Sequence, residues 1–169
     1  MDTLQQTNMD IKYLTILTDY PTMTSSTGYV KRLEPISLDE IVRLESAYNN
    51  GNMFPTALRE LLYLAGSYCY VLDFGIYDTQ FDMQVAVRSW LTDHNKAISR
   101  PFFAIDVYNA YDQFLFIYLD EGVDDPMVFQ AVLYNKSNDE TQFSYSLNTQ
   151  LSKYIEGGIS MLLSGYNPF

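Results

Sequence analysis

The stretch Ile36–Gly75, ISLDEIVRLESAYNNGNMFPTALRELLYLAGSYCYVLDFG, constrains the fold more tightly than any other part of this chain. Ser37 can cap the free N–H groups of a helix, Glu40 stands three residues on to answer it, and Ile36 and Ile41 flank the pair as a hydrophobic staple. Leu38, Ile41, Val42 and Glu45 fall on one side, with Leu44 and Tyr48 beside them, which predicts an amphipathic helix of about three turns. Asn49-Asn50-Gly51-Asn52 ends it, because Asn and Gly tolerate the left-handed conformation that stops a helix. Pro55 suits the first turn of a second helix, where its missing N–H costs nothing. Leu58, Leu61, Leu62 and Ala65 then recur at helical spacing, and Gly66 supplies the stop. Tyr68 to Phe74 is aromatic and β-branched, which predicts a strand.

The whole chain of 169 residues is enough to bury one core without disulfides or metal, so a single domain is expected, with residues 1–10 a frayed lead-in. Hydrophobic residues make up 47% and charged residues 18%, which excludes disorder by composition. The 10 Phe and 15 Tyr favour a sheet-rich core with half-buried tyrosines. A balance of 21 acidic to 10 basic residues gives a formal charge of −11, which repels nucleic acid and anionic membrane surfaces and steers a cationic protein inward. By itself, such acidity is equally what keeps a protein soluble. The single cysteine, Cys69, excludes an internal disulfide and, between Tyr68 and Tyr70, reads as a small buried hydrophobe. MDTLQQTNMDIK lacks the basic and apolar regions of a signal peptide, and no segment reaches the length of a membrane span, so a cytoplasmic location is expected.

Along the rest of the chain, Ile11 to Leu17 fits a short strand or a helical turn, and Pro21 to Gly28 reads as a loop. Asp78 or Thr79 can cap a long helix whose apolar face is Met83, Ala86, Val87, Trp90, Leu91 and His94, closed by Ser99-Arg100-Pro101. Phe103, Ile105 and Val107 alternate with Ala104 and Asp106, as in a strand exposed on one face. Asn109 to Gln113 reads as a turn, and Phe114 to Leu119 as a central strand covered on both faces. Asp120 to Pro126 is an acidic loop, Met127 to Tyr134 a strand, Asn135 to Glu140 a polar turn and Gln142 to Tyr145 an edge strand. A closing helix buries Leu147, Leu151, Tyr154, Ile155, Ile159 and Leu162, with a kink or break expected at Gly157-Gly158. The order is that of an α+β domain, an antiparallel or mixed sheet flanked by helices.

The organising stretch resembles the SUKH superfamily, small domains found as immunity proteins in bacterial toxin systems and as cell-wall regulators in fungi. The shared pattern is a helix ending in Leu-Glu, a Gly-containing turn, a Pro that opens a Leu-rich helix, and a small-residue stop. Here these are Leu44-Glu45, Gly51, Phe54-Pro55, Leu61-Leu62 and Ala65-Gly66. Phe54 stands where the family usually has Leu, and Ala65-Gly66-Ser67 where it has an Asn-Gly-Gly type stop. The resemblance implies a SUKH-like fold, including a strand pair over Phe102–Leu119 and the C-terminal helix. It also implies a bacterial immunity protein whose partner is a toxin.

Catalytic candidates are few. His94 is the only histidine, which excludes a His-His metal pair, and its place at a helix end suits capping or packing. GxGxxG, GxxxxGK[ST] and GxSxG are absent, and DEGVDDP lacks the ligand spacing of an EF-hand. No cofactor, metal site or catalytic residue is therefore expected. Asp120, Glu121, Asp124 and Asp125 are solvated turn acids or, more sharply, a partner-facing patch. Tyr108, Tyr111 and Asp112 at the neighbouring turn are either hairpin packing or a recognition site with large contact area and few torsions to freeze. The expected function is a non-catalytic protein that occludes the active surface of a basic toxin domain. The alternatives are a scaffold or regulatory domain of the same fold and, more remotely, an enzyme with a carboxylate site.

Overall fold

The computed structural model describes residues 8–108, 112–134 and 142–166. Helix α1 (Thr15–Asp19) leads into a hairpin of β1 (Thr22–Thr24) and β2 (Val30–Arg32), then α2 (Leu38–Tyr48), α3 (Thr56–Ala65), a 3-10 turn (Phe74–Ile76) and α4 (Gln80–Asp93). Strands β3 (Phe102–Tyr108), β4 (Gln113–Tyr118), β5 (Met127–Val132) and β6 (Ser144–Gln150) form a meander in chain order, and α5 (Leu151–Leu163) closes it. The class is α+β, as the order of elements predicts, and every described strand pair is antiparallel. One core from Leu14 to Ile159 joins the helices to the sheet.

The helical pair forms as its punctuation dictates. The Ser37 hydroxyl accepts the Glu40 N–H at 3.2 Å, and Asn50 (φ 53°) and Gly51 (φ 78°) take the left-handed turn after α2. Pro55 is the cap residue itself, one position before the expected first turn. Val42, expected on the buried stripe, is 51% exposed, whereas Glu45 is buried. The Glu45 carboxyl accepts the Phe54 N–H at 2.8 Å and faces Arg59 at 3.4 Å, so it fastens α2 to the entry of α3. Gly66 ends α3 in a right-handed conformation, and glycine is required there by close approach: a Cβ would lie 2.8 Å from Ile36 Cγ1.

Five expectations change. Tyr68–Phe74 is not a strand: Tyr68 makes an isolated bridge to Glu34, and Cys69 to Leu72 enter the core without regular pairing. The outer edge of β3, to which such a strand would add, is already occupied by side chains of α4. The Gln84 amide pairs with Ala104 as a strand would (Nε2 to O 2.7 Å, N to Oε1 3.0 Å), and Arg88 donates to Phe102 O at 3.0 Å. Pro21–Gly28 is not all loop, because Thr22–Thr24 pairs with β2 around a turn that Gly28 makes at φ 81°. β3 has no exposed face, since Ala104 and Asp106 are both buried, the second at a bulge. Leu147 belongs to β6, which runs on to Gln150 before α5 begins. Finally, α5 passes unbroken through Gly157-Gly158, where a Cβ on Gly158 would crowd Val71 at 3.3 Å.

Other ambiguities resolve simply. Ile11–Leu17 ends in the helical turn of α1, Thr79 rather than Asp78 caps α4, and β4 is the covered central strand. The polar turn expected at Asn135–Glu140 lies outside the described residues.

Candidate functional site

The acids of the Asp120–Pro126 loop have partners within the chain. Arg100 forks onto Asp120 (2.6–3.1 Å), reaches Glu121 at 3.7 Å, and stacks over Tyr118 at 3.8 Å. The Arg100 hydrogen bond holds the Asp120 carboxyl below its ordinary value. Asp124 and Asp125 cap helices that cannot cap themselves. α3 starts behind Pro55 and α5 behind Gln150, neither of which makes a side-chain cap. Asp124 accepts Thr56 Oγ1 at 2.7 Å on its carboxyl and the Ala57 N–H at 2.9 Å on its carbonyl. Asp125 accepts the Ser152 N–H at 3.0 Å and its hydroxyl at 2.6 Å. Asp125→Ala is therefore expected to cost about 1–2 kcal/mol of stability, the size of a lost N-cap, read by urea denaturation. Asp120→Asn, at a solvent-screened surface pair, should leave the stability nearly unchanged in the same measurement.

The tyrosine turn is likewise occupied where it is described. Tyr108 is half-buried, its hydroxyl accepts Gln130 Nε2 at 2.6 Å, and burial pushes it up to about 12. Asp112 stands 4.0 Å from His94 Nε2, and its carbonyl accepts the Leu133 N–H. Tyr111 lies outside the described residues. His94 ends α4 with Nδ1 2.8 Å from Trp90 O, and burial pushes the Cys69 thiol up to about 12, far from a thiolate at neutral pH.

Acids without an ion pair among the described residues gather elsewhere. Two of them, Glu40 and Asp78, stand where the N-terminal ends of α2 and α4 approach each other. A cleft of about 260 Å3 lies there, walled by Ser37 and Glu40 of α2, Asp78 and Thr79 before α4, and Ser67, Phe74 and Tyr77. Its floor is knitted together by the backbone: Glu34 and Tyr68 exchange hydrogen bonds at 2.9 and 3.1 Å, and the Ile36 N–H donates to Leu62 O at 3.2 Å.

Gln80, the first residue of α4, is buried in that floor at 4% exposure. Its Nε2 donates to Gly66 O at 2.7 Å, which fixes the amide, and its Oε1 has no hydrogen-bond partner. Sequence reasoning passed over Gln80, although Gln80, Gln84, Val87 and Leu91 are spaced four, three and four apart on the stripe that α4 buries. In the sequence Glu40 reads as half of a capping box, and Asp78 as a cap or a solvated turn acid.

No described helix is long and apolar enough to cross a membrane, and no group of three or more described His, Cys, Asp or Glu is placed to hold a metal ion. The chain matches no family model, no curated protein and no solved structure.

Proposed function

We propose that the protein is a non-catalytic binding protein for a basic protein partner, acting as an immunity protein that occludes the working surface of a toxin. The observation that carries this reading is the placing of Glu40 and Asp78, without ion pairs among the described residues, in the walls of one cleft on a chain of charge −11. Carboxylates with no internal partner keep their hydration until a cation arrives, so they steer association and select its sign. The loop acids Asp120 to Asp125 are spoken for by Arg100, Thr56 and Ser152, and contribute to the field rather than to the contact. The likeness of Leu44-Glu45, Gly51, Phe54-Pro55 and Ala65-Gly66 to the SUKH pattern supplies the toxin as the partner class.

The test is capture of a basic protein on the tagged chain, reconstitution of the pair from purified components, and measurement of association against salt. The association rate should fall by about tenfold or more between low and high ionic strength, and the partner's activity should be lost in the complex. Glu40→Gln with Asp78→Asn should slow association more than Asp124→Asn with Asp120→Asn. A reconstituted complex that forms at the same rate in high salt would overturn the proposal.

A further inference from the structure

We infer that a second copy of this chain docks on the face made by the β1–β2 hairpin and the end of α5, the two copies related by a two-fold axis. The inference is independent of the basic-partner reading and uses neither Glu40 nor Asp78.

Between the hairpin and the end of α5 runs a groove of about 350 Å3, walled by Met23 and Lys31 on one side and Leu162, Leu163 and Tyr166 on the other. Tyr70 lines it too, its hydroxyl donating to Tyr20 O at 2.6 Å. Met23 and Lys31 are cross-strand partners, and the ladder continues to the Ser25 N–H donating to Tyr29 O. Since side chains alternate along a strand, Tyr29 stands on the same face as Lys31, two residues on. Tyr29, Val30, Leu163 and Tyr166 are four of the nine large apolar side chains more than half exposed among the described residues. The other five, Val42, Met53, Ile76, Val85 and Tyr134, each stand alone on a different element or turn. Scattered apolar side chains need no explanation, but a gathering beside a groove marks a contact surface.

The charges select the occupant. Pro21–Leu33 and Gly157–Tyr166 hold no acid in a chain with 21, so two copies at −11 meet here without setting carboxylate against carboxylate. Their only charges are Lys31 and Arg32, neither of which has an ion pair among the described residues. Asp19 and Glu34, which flank the hairpin along the chain, have none either. A two-fold axis sets the cations of each copy toward the flanking carboxylates of the other, so every such contact is made twice. A basic partner would find two cations and no acid on this face, and an anionic surface would find those two backed by the charge of the whole chain. Size agrees as well. Of the 23 residues in the two stretches only Leu33 and Ile159 are buried, and the rest match one side of a standard interface, about 20–30 residues. Tyr29 and Tyr166 supply the anchors, because Tyr brings large contact area with few torsions to freeze.

The inference is tested by sedimentation equilibrium of the full chain between about 1 and 500 µM, where monomer should give way to a species of twice the mass and no larger one. Leu163→Ser with Tyr166→Ser, both at exposed positions, should weaken the pairing by at least about tenfold, as expected for two anchors of an interface. Lys31→Glu, which sets an acid toward the flanking carboxylates, should weaken it by about as much. Melting temperatures of these variants report their folding. Dilution of the unaltered chain, followed by amide NMR, gives a reading that needs no variant: signals of the hairpin and of residues 161–166 should move, and those of β6 should stay in place. A chain that remains monomeric at about 500 µM, a dimer indifferent to these substitutions, as one joined through β6 would be, or dilution shifts confined to β6 would each overturn the inference.

Discussion

Replacing Glu60 with alanine is expected to lower the free energy of unfolding by about 3–5 kcal/mol, a loss well above that of a typical surface substitution. Glu60 lies on α3, is fully buried, and its two oxygens accept the N–H groups of Lys12 (2.8 Å), Tyr13 (2.9 Å) and Leu14 (2.8 Å). Three donors in a row converge on one carboxyl group and hold the segment that leads into α1. Without it, the chain must leave those donors unmet, at about 1–3 kcal/mol for each that stays buried, or release the segment. Release exposes Leu14 and Leu17, both within 1% of full burial, at about 1.5–3 kcal/mol each. The smaller of the two costs sets the result, and both fall in the same range. Glu60→Gln should lose less, since one oxygen remains, but its NH2 would face a donor. Denaturant titration measures the loss, and hydrogen exchange should show the Lys12–Leu14 amides opening first. A loss under about 1 kcal/mol for the alanine variant would show that the clasp carries no stability.

The second large effect is one of pH. Asp106 sits at the bulge of β3 with 2% exposure, and its carboxyl accepts the N–H groups of Asp73 (2.7 Å) and Val107 (2.9 Å). Burial pushes its pKa from 3.8 up to about 7, against the pull of those hydrogen bonds. Asp73 adds to the rise, while Asp106 in turn raises Cys69, Tyr108 and Tyr154, the groups around it on the neighbouring segment, its own strand and α5. Because the folded value is the higher, the native chain holds its proton more tightly than the unfolded one. The contribution is complete below pH 3.8, declines as the pH rises, and is gone above about 7. The rise from 3.8 to about 7 corresponds to about 4 kcal/mol. In Asp106→Asn the amide oxygen keeps its two backbone donors and nothing titrates. The variant should therefore gain on the wild type by up to about 4 kcal/mol between pH 4 and pH 8. Unfolding curves at matched pH read the difference, and a constant offset would place the carboxyl's pKa at its ordinary value.

The parts of this architecture visible in the sequence are those specified locally. The Ser37–Glu40 and Thr79–Asp82 starts, the Asn50-Gly51 stop, the Leu face of α3 and the doubly covered β4 all follow from neighbours within a turn or two. What was not visible depends on a partner far along the chain. Glu60, Gln80, Gln84 and Asp106 are polar residues in the interior, and each hydrogen-bonds to backbone 14 to 48 residues away. Periodicity places such residues on the right face but cannot supply the partner that makes burial tolerable. The same holds for the acids. A run such as Asp120 to Asp125 draws the eye because its members are adjacent in sequence, yet Arg100, Thr56 and Ser152 take them up in space. The walls of the cleft bring together Glu40 and Asp78, which are separated along the chain and individually unremarkable.

The pairing of the Gln84 amide with Ala104 bears also on how these molecules meet one another. A sheet with two open edges can add copies at either side without limit, which is the geometry of a fibre. Here Gln84 and Arg88 occupy the β3 edge at Ala104 and Phe102 from within the same chain, so among the described residues the edge of the four-stranded sheet left to another molecule is that of β6. Association through that edge is confined to β6 against β6, an arrangement that uses up both available edges and ends at two copies.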